Sequence, residues 1–380
     1  MKTASVLFQA PNSIGLGHIN RLANIAGALR FLHPPIGVPI AVEGASHQLL
    51  KSRNFPCIDL PKESEILSGR SWAAWTPDER SGLNAAFADN LIDHLKPAGV
   101  VFDCFPHAGI VNACIKTGTP MALCLRPMID FEHYLNDARV SLLIRNARSI
   151  LIPQNAGDWD IPGEFRERAI YTGPIVSWQP ANPEPLSLQL GLPGKRVVVV
   201  TGGGGGHTET LPFYQLCLST LEQIMAEHTD VVAFLLAGPL FKQWRSLRIP
   251  MATIISPFEP EPSHIFSTAD LVISQAGYNS LYELASLGVP TISIPARRGF
   301  DDQSGRAKEL AANYPNIHVL DTLTESTLKS HILHKLNATT PRYRTRLNGA
   351  SKAAEHLSAL FKLQSLNSLS DDANCNECYE

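Results

Sequence analysis

A histidine follows a short glycine turn near the start of the chain. The order Gly-Leu-Gly-His at 15–18 comes after an apolar run, and such a turn brings the free N–H groups of a following helix to one edge of a sheet. The positive end of a helix dipole favours the neutral imidazole, which is the form that accepts a proton. His18 is therefore a candidate general base, and the alternative is a histidine that caps the turn.

An acid ends a second apolar run, at residues 100–104. If this run is a strand beside the first one, Asp103 reaches His18, fixes the imidazole tautomer and stabilises the imidazolium that forms on proton abstraction. The alternative is that Asp103 caps the helix expected from Ala108. The first reading predicts a His18–Asp103 pair suited to removing a proton.

Five consecutive glycines, 202–206, follow a strongly apolar run in the second half of the chain. Because glycines carry a large conformational-entropy cost, a turn held open for close backbone approach to a phosphate explains them better than a flexible spacer. The loop lacks the Lys-Ser/Thr ending of a Walker loop, so ATP hydrolysis by that mechanism is disfavoured.

A third turn is followed by the largest number of residues that could bind a ligand. After an apolar run at 271–275, Gly277 turns the chain and Asn279 or Ser280 is expected to cap a short helix, whose N-terminus would hold an anion. Glu283 comes about one helical turn later, where its carboxylate could accept both hydroxyls of a ribose. Further along, Asp302 and Gln303 supply an acid and an amide suited to sugar hydroxyls.

The elements that must position these residues alternate regularly. Short β-branched runs, each followed by a segment of helical spacing, predict parallel α/β layers. The expected strands are 4–10, 37–42, 100–104, 121–125 and 149–152 in the first half, and 196–201, 231–237, 253–258, 271–275, 291–295 and 317–320 in the second. Two doubly wound, Rossmann-like domains facing a cleft are the predicted architecture, with ligands at the carboxyl ends of the strands.

The predicted domains meet at a proline-dense stretch. We expect an N-terminal acceptor-binding domain at 1–176, a linker at 177–195, a C-terminal donor-binding domain at 196–364 and a disordered tail at 365–380. In the tail, Cys375 and Cys378 offer two thiolates where a structural zinc site needs about four, so loose thiols are favoured over a metal site.

Composition excludes several classes of protein. With 380 residues, 44% of them hydrophobic, the chain is too long for one core and too apolar for disorder. A net charge of −3 argues against nucleic acid as the main ligand. Seven cysteines, mostly in apolar runs, predict reduced core thiols and a cytoplasmic location. The apolar stretch at the start is too short for a signal peptide, and no apolar run is long enough to span a membrane, while contact with a membrane surface stays open.

This series of motifs resembles the GT-B glycosyltransferases, most closely the group that contains the UDP-N-acetylglucosamine transferase of lipid II synthesis. The resemblance covers nearly the whole chain, and the block from 270 to 303 is its specific part. It implies that Glu283 binds the ribose, that the glycine loop and the third turn hold the diphosphate, that Asp302 and Gln303 bind the donor sugar, and that Phe258 and Glu259 hold the uracil. The donor-binding residues implied in the turns are Gly17, Gly203, Gly204, Gly205, Gly277, Tyr278, Asn279 and Ser280.

The activity implied is transfer of a sugar from a UDP-sugar to an acceptor hydroxyl or amine. A single displacement inverts the anomeric centre, His18 and Asp103 are catalytic, and neither a metal nor a cofactor is required. The partners are a nucleotide sugar and an unidentified acceptor, with no indication of oligomeric state. Asp158 and Asp160 imitate a manganese-binding Asp-x-Asp but are expected in a solvated turn.

Other functions stay open at this stage. The front motif is also similar to that of the UDP-sugar hydrolase of pseudaminic acid synthesis, so a UDP-sugar hydrolase or epimerase on the same scaffold is the main alternative. A sugar-nucleotide-binding module without catalysis is the second. A nicotinamide dehydrogenase ranks last, because the dinucleotide fingerprint is absent and Glu43 matches the ribose acid only in spacing. Trp72 and Trp75 are expected either to line the acceptor site or to form a local core.

Overall fold

Two parallel β-sheets organise the chain in the computed structural model. The model describes residues 4–11, 16–42, 47–60, 77–177, 184–296, 301–320, 324–338 and 341–363, with the side chains of 77–81 left out. The predictions for Trp72, Trp75, most of the proline-dense stretch and the tail with Cys375 and Cys378 fall outside these residues.

The first sheet has the strand order β3-β2-β1-β4-β5-β6-β7 and the second β10-β9-β8-β11-β12-β13. Every pairing between neighbours is parallel. The strands are β1 Val6–Ala10, β2 Ile40–Val42, β3 Cys57–Asp59, β4 Gly99–Asp103, β5 Met121–Cys124, β6 Ser149–Ile152, β7 Ala169–Tyr171, β8 Arg196–Thr201, β9 Val231–Leu236, β10 Thr253–Ser256, β11 Leu271–Gln275, β12 Thr291–Ile294 and β13 Ile317–Val319. These orders confirm the predicted doubly wound architecture: in each sheet the first strand is central, the next two strands lie on one side of it and all later strands lie on the other side.

All eleven expected strands form, and the structure adds β3 and β7. Each of these two has only three residues, lies at an edge of the first sheet and is partly exposed. Such short strands lack the continuous apolar run by which the buried strands are recognised.

Helices connect the strands. They are α1 Gly17–Leu32, α2 His47–Ser52, α3 Pro77–Leu95, α4 Ala108–Thr117, α5 Phe131–Leu135, α6 Ala138–Asn146, α7 Leu186–Gln189, α8 Thr210–Glu227, α9 Pro262–Thr268, α10 Tyr278–Leu287, α11 Gln303–Asn313, α12 Glu325–Asn337 and α13 Gly349–Leu360, with 3₁₀ turns at Gly163–Arg168 and Trp244–Ser246. In the described part of the chain no helix combines the length and the apolar character needed to cross a lipid bilayer.

The central strands are buried on both faces, as parallel sheets covered by helices require. The side chains of Val197, Val198, Val199 and Val200 in β8 are all fully buried. Alternate residues of this strand belong to different apolar clusters, with Val198 and Val200 in one and Val197 and Val199 in the other. This two-sided burial explains why the strand is a continuous valine run.

The chain divides into two compact units: residues 1–12, 21–175 and 348–380 form one, and residues 13–20 and 176–347 form the other. The C-terminal helix α13 belongs to the first unit, whereas the sequence analysis included it in the second domain. The reason is specific packing: His356 Nε2 lies 2.8 Å from Ser149 Oγ, and the Phe361 ring lies where a Cβ on Gly99 would be, at 2.3 Å. The amphipathic pattern of a helix does not reveal which sheet covers its apolar face.

Candidate active site

Asp103 ends β4 as a fully buried carboxylate paired with an arginine. Arg21 Nε donates to Asp103 Oδ2 at 2.7 Å and Arg21 Nη2 donates to Asp103 Oδ1 at 2.6 Å, with side-chain exposures of 2% and 0%. The alternative role of Asp103 as a helix cap is wrong, because His107 occupies the N-cap position of α4. Both oxygens of the carboxylate are engaged by one planar guanidinium, which fixes its orientation.

His18 lies in the first turn of α1, three residues before Arg21. Residues three apart lie on the same face of a helix, so His18 and Arg21 share one face of α1. The imidazole is partly exposed, while Asp103 and Cys104 are buried.

The opposite charges of Arg21 and Asp103 balance each other at the end of β4. Burial is the largest influence on the pKa of Arg21 and lowers it, but the charge and hydrogen bonding of Asp103, together with the nearby Cys124 and Cys104, raise the pKa well above its usual value. Burial, reinforced by Asp103, raises the pKa of Cys104 to about 12. Arg21 is therefore a cation and Cys104 a neutral thiol at physiological pH.

The chain leaves β4 in an unusual conformation. Cys104 has φ +50°, in the left-handed region that costs a residue with a Cβ about 1 kcal/mol. Hydrogen bonds hold the conformation: Cys104 N–H donates to Cys124 O at 3.0 Å, and the Tyr134 hydroxyl donates to Cys104 O. The side-chain oxygen of Gln9 accepts from His107 N–H at 3.0 Å. These contacts fix the direction in which Asp103 meets α1.

In the second unit, the turn after β11 leads directly into α10. The helix begins at Tyr278 with Gly277 as its N-cap, so the expected capping by Asn279 or Ser280 is wrong and both residues lie in the first turn. Gly277 has no side chain with which to cap, and the N–H groups of a first helical turn have no partner within the helix. The helix thus presents its first amides and its positive dipole end as an anion seat.

Glu283 lies on α10, five residues after Tyr278. Its side chain is 1% exposed, and its Oε1 accepts a hydrogen bond from Ser177 Oγ at 3.0 Å. A carboxylate this deeply buried needs such a donor, since burying an unpaired charge is costly. Sequence reasoning did not identify Ser177, which lies 106 residues away along the chain.

The glycine loop after β8 packs backbone against backbone on a neighbouring loop. Gly203 and Gly205 have φ +69° and +81°, and a Cβ on Gly205 would lie 2.5 Å from Ala237 O. Gly238, at φ +86°, lies so close that its Cβ would be 2.3 Å from Gly203 O. Leu240 N–H also donates to Gly204 O at 3.0 Å. At Gly205 the requirement for glycine therefore comes from the fold itself, whereas a Cβ on Gly203 would meet open space.

Phe258 and Glu259, the predicted uracil contacts, follow β10 in a loop. Phe258 is half-buried and its carbonyl accepts from Ser256 Oγ at 3.1 Å. Glu259 Oε1 accepts from Glu261 N–H at 3.2 Å, immediately before α9. The described contacts of both residues are local, and they set the shape of the loop.

Asp302 and Gln303 begin α11. Asp302 is the N-cap, and its carboxylate accepts from Gly305 N–H at 2.8 Å. Gln303 is buried, with its side-chain oxygen accepting from Ala296 N–H at 3.1 Å. The two residues predicted to bind a sugar therefore form hydrogen bonds to backbone amides at and near the start of α11.

An arginine that sequence reasoning missed links α11 to the start of α10. Arg306 Nη1 lies 2.6 Å from Asp301 Oδ1, and Nη2 donates to Ala276 O at 3.1 Å. The guanidinium carbon lies 5.6 Å from the centre of the Tyr278 ring. A partly buried ion pair therefore lies beside the start of α10.

The Asp158-Trp159-Asp160 segment lies in a turn, as expected. Both acids are exposed, and Asp158 Oδ2 accepts from Asn155 N–H at 3.0 Å.

Residues 197–360 match the glycosyltransferase family 28 C-terminal domain. The chain is 30% identical, over 148 residues, to the UDP-N-acetylglucosamine–N-acetylmuramyl-(pentapeptide) pyrophosphoryl-undecaprenol N-acetylglucosamine transferase of Oceanobacillus iheyensis, a match that covers 38% of this chain and 39% of that protein. The chain thus spans only about two fifths of the length of this relative in the match.

Solved structures share the whole fold at low identity. The MurG structure of Acinetobacter baumannii superposes with a TM-score of 0.56 at 17% identity, covering 95% of this chain and all of the other. The structure of MnaA from S. aureus with UDP gives a TM-score of 0.63 at 11% identity, covering 95% and 98%. The predicted GT-B fold and the predicted resemblance are confirmed: the chain has the two-sheet fold of these proteins and is similar to the glycosyltransferase family 28 C-terminal domain over residues 197–360.

Proposed function

We propose that the protein is a glycosyltransferase that uses a UDP-sugar donor. The observation that carries the proposal is the position of Glu283, a buried carboxylate one helical turn past the first amides of α10, inside the segment similar to the family 28 C-terminal domain. An anion seat followed by a fixed carboxylate suits a pyrophosphate joined to a ribose.

The second unit would bind the donor. The amides of Tyr278, Asn279 and Ser280 would hold the diphosphate, and Glu283 would accept hydrogen bonds from the ribose hydroxyls. Phe258 with Glu259 would hold the uracil, Asp302 with Gln303 the sugar, and the glycine loop at 203–205 and Gly17 would complete the diphosphate site. The match to family 28 over 197–360 supports these assignments for the second unit.

His18 would remove the proton from the acceptor hydroxyl or amine. The acceptor oxygen or nitrogen forms a bond to the anomeric carbon while the bond from that carbon to the diphosphate breaks, and UDP leaves with the electron pair. One displacement inverts the anomeric centre. The amides and dipole of α10 stabilise the charge that develops on the diphosphate, which is a role that a divalent cation takes in other enzymes, so we propose a reaction without metal or cofactor.

The N-terminal unit would bind the acceptor, and we place the enzyme in the cytoplasm with contact at a membrane surface left to experiment. The protein from Oceanobacillus iheyensis is named for a transfer onto a lipid-linked sugar. The match to it does not cover the whole of either chain, so the acceptor class proposed here is any molecule with a nucleophilic hydroxyl or amine.

The test is release of UDP from a panel of UDP-sugars, with and without a panel of lipid-linked, phenolic and amino-sugar acceptors. The proposal predicts UDP release that depends on one acceptor, with a glycosylated product of inverted configuration. His18→Ala should lower the rate at least about 10²-fold, because it removes the general base. His94→Ala is the matched control, since this exposed histidine of α3 forms a hydrogen bond within its own helix, at Asn90 O.

Two results would replace the proposal by its main alternative. Stoichiometric release of free sugar and UDP without any acceptor would identify a hydrolase. Formation of a new sugar nucleotide would identify an epimerase. Tight UDP binding with no turnover, unchanged in His18→Ala, would identify a binding module.

A further inference from the structure

We propose that the first unit binds a zinc ion, with His47, Cys57 and Asp59 as its protein ligands. All three residues belong to the compact unit that contains residues 21–175. The inference goes beyond the proposed function: the ion takes no step in the proposed transfer and does not contact the UDP-sugar.

Two of the ligands come from β3, at the edge of the first sheet. Cys57 and Asp59 lie two residues apart in this strand, so their side chains point to the same face. Ile58, between them, packs on the opposite face against an apolar cluster of the unit. The strand therefore places a thiol and a carboxylate side by side, facing away from that cluster.

The third ligand comes from α2, which packs beside β3. The helix begins at His47, and its buried residues Leu49 and Leu50 anchor it to the unit. The Nε2 atom of His47 is in direct contact with Oδ1 of Asp59.

The three side chains are close enough to share one ion. A ring nitrogen of His47, the Sγ of Cys57 and a carboxylate oxygen of Asp59 all lie within 4.8 Å of one another. Two ligands on one zinc ion lie about 3–4 Å apart, because each bond to zinc is about 2.0–2.3 Å long. Small rotations of His47 and Asp59 therefore suffice to admit the ion.

The types of the donor atoms select the metal. Thiolates favour zinc and copper(I), imidazole favours zinc and its neighbours among the transition metals, and zinc also accepts a carboxylate oxygen. Magnesium and calcium prefer oxygen ligands throughout. Zinc is therefore the ion that fits this set, and three protein ligands leave a fourth position for water or an outside ligand.

An ion pair alone does not account for the cluster. The side chains of His47 and Asp59 are 35% and 71% exposed, and an ion pair at such a surface contributes little to stability. It also gives no reason for a thiol beside the pair. Metal binding explains why the three donor types are brought together.

The cluster is accessible from solvent. Cys57 is partly exposed, whereas the other four described cysteines are buried: Cys104, Cys114, Cys124 and Cys217. An ion can therefore reach Cys57 without opening the core of the unit.

The experiment is a titration of the full-length protein with Co²⁺ and then Zn²⁺ at about pH 8, after a chelator has removed bound metal. Cobalt takes the place of zinc, and it reports a thiolate ligand by a charge-transfer band in the near ultraviolet. We expect one equivalent of Co²⁺ to give this band and Zn²⁺ to abolish it, because zinc binds such sites more tightly. Cys57→Ser should abolish the band. His47→Gln and Asp59→Asn should each raise the Kd for Zn²⁺ at least about tenfold.

Two controls separate this site from other metal-binding groups. Cys375→Ser combined with Cys378→Ser removes the two thiols of the tail and should leave the band unchanged. His94→Gln removes an exposed histidine of the same unit, which forms a hydrogen bond to Asn90 O, and should leave the Kd for Zn²⁺ unchanged.

A second measurement uses the wild-type protein, in case Cys57→Ser does not fold. Bound Zn²⁺ should lower the rate of alkylation of Cys57, followed by mass spectrometry, at least about tenfold, because the metal occupies the sulfur. A band that is retained in Cys57→Ser or lost in the tail variant would overturn the proposal. So would wild-type protein without the band, or alkylation of Cys57 at an unchanged rate in saturating Zn²⁺. These measurements need no substrate, so their result is independent of the proposed transfer.

Discussion

Glu283 offers the most direct prediction about the donor site. In Glu283→Gln the side chain keeps its length and volume, and its oxygen still accepts from Ser177 Oγ, so the variant should fold. The change removes only the negative charge that would meet the ribose hydroxyls. A hydrogen bond to a charged group contributes about 1.5–3 kcal/mol, so the Kd for UDP should rise about 10- to 100-fold.

The assay is isothermal titration calorimetry with UDP and with 2′-deoxy-UDP. Wild-type protein should bind the deoxy compound more weakly, whereas the variant should bind the two about equally, because the hydroxyl and the carboxylate contribute to one interaction. Ser177→Ala is the control: it removes the 3.0 Å bond to Glu283 without changing the charge, and should weaken UDP binding far less. Equal affinity of wild type and Glu283→Gln for UDP would refute the assignment.

Three further predictions follow from the packing of the described residues. Gly238→Ala places a Cβ 2.3 Å from Gly203 O at φ +86° and should destabilise the protein by about 1–3 kcal/mol in thermal unfolding. Gly203→Ala has open space around its Cβ and should destabilise the protein less. Equal losses of stability in the two variants would contradict the packing argument. Burial raises the pKa of Cys104 and of Cys114 to about 12 each, so neither should react with a thiol reagent at pH 8 until the protein is unfolded, and labelling of the native protein would show the site to be open. Burial lowers the pKa of His356, so this side chain takes up a proton more readily in the unfolded chain than in the folded protein. The free energy of unfolding should therefore fall as the pH drops below about 6.5. Urea unfolding at pH 7 and 5.5 should show a smaller decrease in His356→Gln than in the wild type, and an identical decrease would be evidence against this effect of burial.

The framework of the fold was predictable because it depends on local pattern. The valine run of β8 and the apolar run of β11 are buried on both faces, and that burial requires the composition from which they were recognised. The glycine turns after β1, β8 and β11 likewise mark the carboxyl ends of strands, where doubly wound sheets bind ligands.

The partners of the site residues were not predictable, because they are distant in sequence. Asp103 was expected to contact His18, and no sequence feature indicated the two hydrogen bonds that its carboxylate accepts from Arg21, 82 residues earlier. A possible signal was an arginine in the first half of α1, at a spacing of three from His18. Glu283 was identified from its place on the helix, yet Ser177, which holds it, is one serine among many in a loop.

Helix caps and boundaries also depended on tertiary contacts. Asn279 and Ser280 are good capping residues by type, but α10 begins earlier, at Tyr278, with Gly277 as its N-cap. Five glycines after β8 suggested a phosphate site, while the structure shows that Gly205 must be small because of Ala237 and Phe241. In both cases the residue types are typical of a turn or a helix start. Contacts with residues distant in sequence decide where the helix begins and why a glycine is required.

The central claim is that α10 binds the pyrophosphate of a uridine nucleotide, and a crystal structure with UDP tests it most directly. We predict that the diphosphate lies within hydrogen-bond distance of the amides of Tyr278, Asn279 and Ser280, with the ribose hydroxyls at Glu283. UDP bound at another part of the protein, or a saturated crystal with no nucleotide at α10, would contradict the account.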